Sequence, residues 1–219
     1  MVIFLAVLLA ALTVASSGAS SPATAMADYA TIPLDRLIGI SQLIVAGDVV
    51  AVKDGTFTLR VTSTLAGNAH SPTIEVSQFI PSRFEGGSRL APYRSGQSFL
   101  LFLVTDPKQP QKAWRILGAG GEGEMPMEDG FVYFHARNVE GLPFASYRVH
   151  GSERKVQRAD AKAFCNAIKG YRACFQWKPG SDERTQPTGL CAQDALDRYS
   201  SSSEIHRHLA QLTAKRSNK

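Results

Sequence analysis

Residues 114–134 read WRILGAGGEGEMPMEDGFVYF, and within them Gly118, Gly120 and Gly123 form a G-x-G-x-x-G directly after a short apolar run. In a dinucleotide site such glycines turn a strand into a helix, whose N-terminal amides and dipole hold a pyrophosphate. Here Met125-Pro126-Met127-Glu128-Asp129-Gly130 and a strand pattern follow instead. Glu122, Glu124 and Glu128 would repel a diphosphate, and the flanking units are hairpins without a βαβ crossover. The stretch therefore reads as a loop between two closing strands, its glycines serving turns and close chain approach, and no cofactor is expected. The carboxylates Glu122, Glu124, Glu128 and Asp129 lack the D-x-D-x-D-G spacing of a calcium loop, and they are expected to be solvated.

The remaining reactive residue types are no better arranged. His206 and His208 form H-x-H on a predicted helix, where they point about 200° apart and cannot clasp one ion. Glu204 and His208 lie one turn apart, but a third ligand is missing, so no metal site is assigned. His70, His135 and His150 are scattered through loops and strand ends, and neither H-E-x-x-H nor G-x-S-x-G occurs. Three aromatic residues have basic neighbours: Tyr93-Arg94, Tyr171-Arg172 and Trp177-Lys178. They could line a face for an oligosaccharide or extended chain, but their aperiodic spacing makes them anchors that tie loops to a core. No catalytic residue is assigned.

The compartment follows from the ends of the chain. Residues 1–27 carry no charge and open with an apolar run too short to span a bilayer. Small residues follow, ending in Ala25-Met26-Ala27. That is a signal peptide with cleavage expected before Asp28, although the usual n-region Lys or Arg is absent. Export to the periplasm or the extracellular space, with no stable membrane insertion after cleavage, makes Cys165, Cys174 and Cys191 disulfide candidates. The preferred bridge involves Cys191, because it closes a Gly- and Pro-containing loop between two helical segments. Of the net charge of +5, residues 28–150 contribute −1 and residues 151–219 contribute +6. An exported chain does not meet cellular nucleic acid, so a basic region of this kind faces solvent, or anionic lipid, cell-wall polymer or an acidic protein.

The elements that must position these residues change period along the chain. Leu34, Leu37, Ile38 and Ser41 at helical spacing predict a short N-terminal helix. Residues 43–52 predict a buried strand with Gly47 at a bulge or bend. Asp54-Gly55 predicts a hairpin into 56–63, where Phe57, Leu59 and Val61 alternate with polar residues. Strand patterns follow at 73–79, 98–104, 113–117 and 131–135, and the apolar run at 98–104 reads as covered on both faces. Residues 158–171 predict a helix ending near Gly170, and 190–219 predict one or two more, broken at the serine run. The expected fold is mainly β: a small antiparallel barrel of about six strands in residues 28–150. A basic, Cys-containing helical region occupies 151–219.

The order LIVAGDVVAV, GTFTLRVTSTLAGN, TIEV, YRSGQSFLLFLV, WRILGAGGEGEMPMEDGFVY resembles a class of exported bacterial proteins of unassigned function. In that class a V-x-G-x-V strand leads to a strand closed by Leu-x-Gly, then to an apolar Leu-Phe-Leu strand and a Gly-rich turn. The class is similar to the OB-like barrel of tissue inhibitors of metalloproteinases and netrin-like domains. The likeness spans residues 34–134 and rests on turns and core positions, so it implies fold far more than function. Together these readings predict a non-enzymatic binding or interaction protein of the cell envelope, its partner a protein or an envelope polymer. The resemblance supplies one alternative, metalloprotease inhibition. Tissue inhibitors, however, set an N-terminal cysteine amine on the zinc, and no cysteine lies near Asp28. A hydrolase without a familiar motif is the second alternative.

Overall fold

A computed structural model describes residues 31–79, 91–105, 113–118, 120–134, 139, 141–178 and 186–217. The expected signal peptide, the cleavage site before Asp28 and His135 lie outside them. The elements run α1 (Leu34–Ile40), β1 (Leu43–Lys53), β2 (Thr56–Ala66), β3 (Thr73–Ser77), β4 (Ser98–Thr105), β5 (Trp114–Ile116), β6 (Glu124–Glu128), β7 (Phe131–Phe134), β8 (Ala145–Val149) and β9 (Ser152–Asp160). They continue with α2 (Ala161–Cys174), β10 (Phe175–Gln176), β11 (Thr188–Gly189), α3 (Gln193–Ser201) and α4 (Glu204–Ser217).

Five strands close a barrel in the order β1-β2-β3-β5-β4 and back to β1. The β3–β5 pairing is parallel and the other four are antiparallel, an OB-like arrangement in the loose sense. Alternation decides which side chains fill it. Leu43, Val45, Phe57, Leu59, Phe99 and Leu101 point inward and form one buried cluster. The register of β1 against β2 shifts at Ala46/Gly47, the bulge position expected from the sequence.

β4 has three partners. Its Leu103–Thr105 end pairs with β5 and closes the barrel, whereas Ser98–Leu101 pair with β6 and lead into the extra strands β6-β7-β9-β8. Phe99, Leu101 and Leu103 enter the barrel, while Leu100 and Phe102 face the other way. There they join Ile44, Val132 and Phe134 against α1, α2 and α4 through Leu37, Ile38, Phe164, Ile168 and Leu209. An apolar strand without alternation is therefore a strand with a core on each side.

All six predicted strands form, and Asp54-Gly55 makes the two-residue turn between paired Lys53 and Thr56. The sequence patterns do not predict β6, β8 or β9, nor the two-residue strands β10 and β11 in the stretch 175–189, which reads as loop. Residues 124–128, expected to be loop, are a strand whose Pro126 lies opposite Phe99, beyond the end of the β6–β7 ladder. A proline is tolerated where no second ladder needs its N–H. The sheet also runs on past His150, since β9 pairs with both β7 and β8. Asp129-Gly130 and His150-Gly151 make the two extra hairpins, with φ of 51° and 80° in the first and 50° and 82° in the second. Both central residues lie in the left-handed region that matches strand twist. His-Gly carries a weaker turn signal than Asp-Gly, and Asp129-Gly130 follows a proline-containing stretch without strand alternation.

Asp160 caps α2, accepting from the Ala163 N–H at 2.7 Å. The helix does not stop at Gly170. It runs to Cys174, because Gly170 is an inward position packed on the Tyr199 ring, with no Cβ to hold that ring away. The serine run does break the last helical stretch, between α3 and α4.

Cys174 and Cys191 form a disulfide, with 17 residues of separation, that closes the loop between α2 and α3. Cys165 is the free thiol; it is half-buried, and burial pushes its pKa above the ordinary thiol value. Unfolded without reductant, the chain is expected to react with a thiol reagent once, and with reductant three times, once for each cysteine. In the folded state at pH 8, Cys165 is expected to react more slowly than free cysteine, because less of it is thiolate. A second reactive thiol in the unreduced, unfolded chain would contradict the Cys174–Cys191 bridge.

Candidate functional site

The fork at β4 is where the Gly-rich stretch lies. Leu117 donates its N–H to the Phe102 carbonyl, Phe102 to Gly123 and Gly123 back to Leu117, all at 2.8–2.9 Å. This knot binds the loop to the point where β5 and β6 diverge. A Cβ on Gly123 would stand 2.3 Å from the Leu117 carbonyl oxygen, and Gly118 has φ +89° and faces the Glu122 carboxylate. The glycines therefore serve turns and close approach, as the sequence suggests. A strand, not a helix, follows them, so no helix N-terminus is available to a diphosphate.

The expectation that the carboxylates are solvated fails for two of the four. Glu122 and Glu124 are each 1% exposed, Glu128 is half-buried, and Asp129 alone is exposed. Glu122 turns inward and accepts the N–H groups of Ile32 at 3.1 Å and Gly120 at 3.0 Å. It ties the chain just before α1 to the loop at the fork. Glu124 lies opposite Leu101, on the barrel-facing side of β6, and accepts the Tyr93 hydroxyl. Tyr93 in turn stacks on Phe57 with centroids 4.4 Å apart and accepts the Phe79 N–H. Glu128 accepts the His150 N–H at 2.7 Å, and the His150 ring meets Phe99 edge-on. Buried carboxylates need such donors. Sequence alone cannot distinguish them from solvated ones, because the donors are backbone amides and a tyrosine distant in sequence.

His206 and His208 both lie on α4. His206 is buried, shares its Nδ1 with the Ser203 hydroxyl at 2.7 Å and packs edge-on against Tyr199, and burial pushes its pKa down. His70 sits in an exposed turn with φ 52°. Among the described residues no group of His, Cys, Asp and Glu is placed to hold a metal ion.

The aromatic-basic pairs resolve into anchors. Tyr93, Tyr171 and Trp177 are all buried. Trp177 donates its indole N–H to the Tyr171 oxygen, which also meets the Thr213 hydroxyl, each at 3.1 Å. Arg172 donates to the carbonyls of Ile38 and Gly39 at the end of α1, and burial lowers its pKa. The Arg60 guanidinium and the Ser98 hydroxyl hold the carboxyl of Asp48, on β1, below the usual carboxylate range.

One surface assembly was missed by the sequence reading. On β7, β9 and β8 the Arg158 guanidinium lies between two rings, 3.7 Å from the Phe131 centroid and 4.3 Å from that of Tyr147. Such a sandwich holds a cation and its donors in a fixed orientation. Tyr133 supports it edge-on to Tyr147 at 5.6 Å. Arg154 is exposed on the same face of the β8–β9 hairpin, Arg148 and Lys155 are exposed on the other with Glu153 opposite Arg148, Asp160 ends β9, and Phe144 just before β8 is 45% exposed. The signal was present in ASYRVHGSERKVQRA, where Tyr147 and Val149 alternate before the turn and Val156 and Arg158 after it.

No protein-family model, curated protein or solved structure matches this chain. The closed five-stranded barrel fits an OB-like barrel loosely, and no match supports the finer resemblance to tissue-inhibitor and netrin-like domains.

Proposed function

We propose that the protein is an exported, non-enzymatic binding protein of the cell envelope that engages an acidic partner through the basic, aromatic hairpin of β8 and β9 and the adjoining β7. The observation that carries this reading is the Arg158 guanidinium held between Phe131 and Tyr147, with Arg154 exposed on the same face of the hairpin and Arg148 and Lys155 exposed on the other. Arginines held by stacked aromatics bind carboxylates with little loss of side-chain freedom, and they concentrate binding energy at interfaces. Two further features support the reading. The barrel interior is filled by its own apolar side chains, so a partner is met on outer surfaces, and the Cys174–Cys191 bridge suits an oxidising compartment.

The test compares the protein with an Arg148→Glu/Arg154→Glu/Lys155→Glu variant, each immobilised and presented with envelope extract. We expect a saturable partner that the variant retains at least about tenfold less and that elevated salt releases. Equal retention by the variant, or no saturable partner at all, would sink the proposal.

A further inference from the structure

We infer that β8 takes an extended acidic segment as an added strand, an inference that rests on the proposed binding hairpin and names how its partner docks. Among the described residues β8 ends the nine-stranded order. Its register with β9 is unbroken over five pairs, whereas β1 and β2 show three shifts. Exposed edges are blunted by short length, charged side chains, a bulge, a proline or an inward-pointing charge, and of these β8 has its length of five residues and the exposed Arg148. Ala145-Ser146-Tyr147-Arg148-Val149 contains neither proline nor bulge, and Pro143 stands outside the strand.

The two-residue turn closes on Val149 and Ser152, so the antiparallel alternation directs the N–H and C=O groups of Ser146 and Arg148 away from β9. These are the groups that an added strand would pair with. Charge selects the occupant. Arg148 and Lys155 lie on one face of the hairpin with Glu153 opposite Arg148, Arg154 and the Arg158 sandwich lie on the other, and β8 itself carries no acid. A second copy pairing edge to edge would set two acid-free, arginine-bearing strands side by side, which like charge disfavours. A segment with carboxylates at alternate positions meets a cation on whichever face it turns them to. An apolar residue at its end would cover the exposed Phe144.

The test uses the whole protein and a fluorescein-labelled peptide of roughly ten residues alternating valine and glutamate, read by anisotropy. We expect saturable binding, weakened at least about tenfold when alternate peptide nitrogens are methylated, and weakened likewise by Ser146→Pro. The methylated peptide leaves the protein unaltered, so that arm holds even if Ser146→Pro unfolds the hairpin. If the methylated peptide binds as well as its parent while Arg148→Glu/Lys155→Glu abolishes binding, strand addition is wrong and the acidic-partner reading survives. Equal binding of a valine-lysine peptide would overturn both. Absence of peptide binding would also overturn the inference, as would concentration-dependent dimerisation that Ser146→Pro abolishes, which would identify a second copy as the occupant.

Discussion

Replacing Gly39 by alanine is expected to destabilise the protein by about 3 kcal/mol, the upper part of the range for forcing atoms into a packed core. A Cβ there would fall 2.0 Å from Cδ1 and 2.2 Å from Nε1 of Trp177. The indole cannot yield cheaply. It is 7% exposed and donates to Tyr171, whose oxygen also meets Thr213 of α4. Nor can α1 lift away easily, because Arg172 holds the carbonyls of Ile38 and Gly39. Denaturant unfolding followed by tryptophan fluorescence measures the loss. Trp177→Leu in the Gly39→Ala background should then recover part of it, a coupling of about 1 kcal/mol or more between two residues in contact. Additive effects of the two substitutions would show that the close approach of α1 to Trp177 is not what the glycine serves.

Glu122→Ala should cost a comparable amount, about 3 kcal/mol, because it leaves the amides of Ile32 and Gly120 without their shared acceptor inside the protein. Glu122→Gln keeps one acceptor oxygen in nearly the same shape and should cost about half as much. The measurement is the denaturant midpoint at fixed slope, since a changed slope would report a different unfolded state. An alanine variant as stable as the parent would mean that Glu122 does not hold the fork together. Its burial would then need another reason, of the kind buried acids have when they act on a ligand.

Much of the fold was legible because it depends on neighbours in sequence. Alternation at Phe57 and Leu59, the Asp54-Gly55 turn and the uninterrupted apolar run of β4 each follow from local chemistry, and each formed as expected. The failures have a common cause in distant partners. Gly170 looks like a helix end until the ring of Tyr199 is placed on it. Pro126 forbids a strand only where two ladders need its amide, and β6 has one there. The burial of Glu122 and Glu124 depends on Ile32 and Tyr93, neither of which a reading of residues 114–134 contains. The same limit hid the basic hairpin. Arg158 gains its two rings from β7 and β8, strands that meet it only when the sheet is assembled.

The three partners of β4 also shape how the protein comes together in time. β4 must capture β1 from well before it in the chain and β5 and β6 from after it. Such non-local pairing places folding in the millisecond-to-second range typical of β-rich domains, slower than helical ones. Phe99 and Leu101 belong to one buried cluster while Leu100 and Phe102 belong to the other, so neither cluster can lose β4 without the other losing it too. The barrel and the helical layer are thus expected to open as one cooperative unit. The amides of β4 should be among the last in the chain to exchange their hydrogens with solvent.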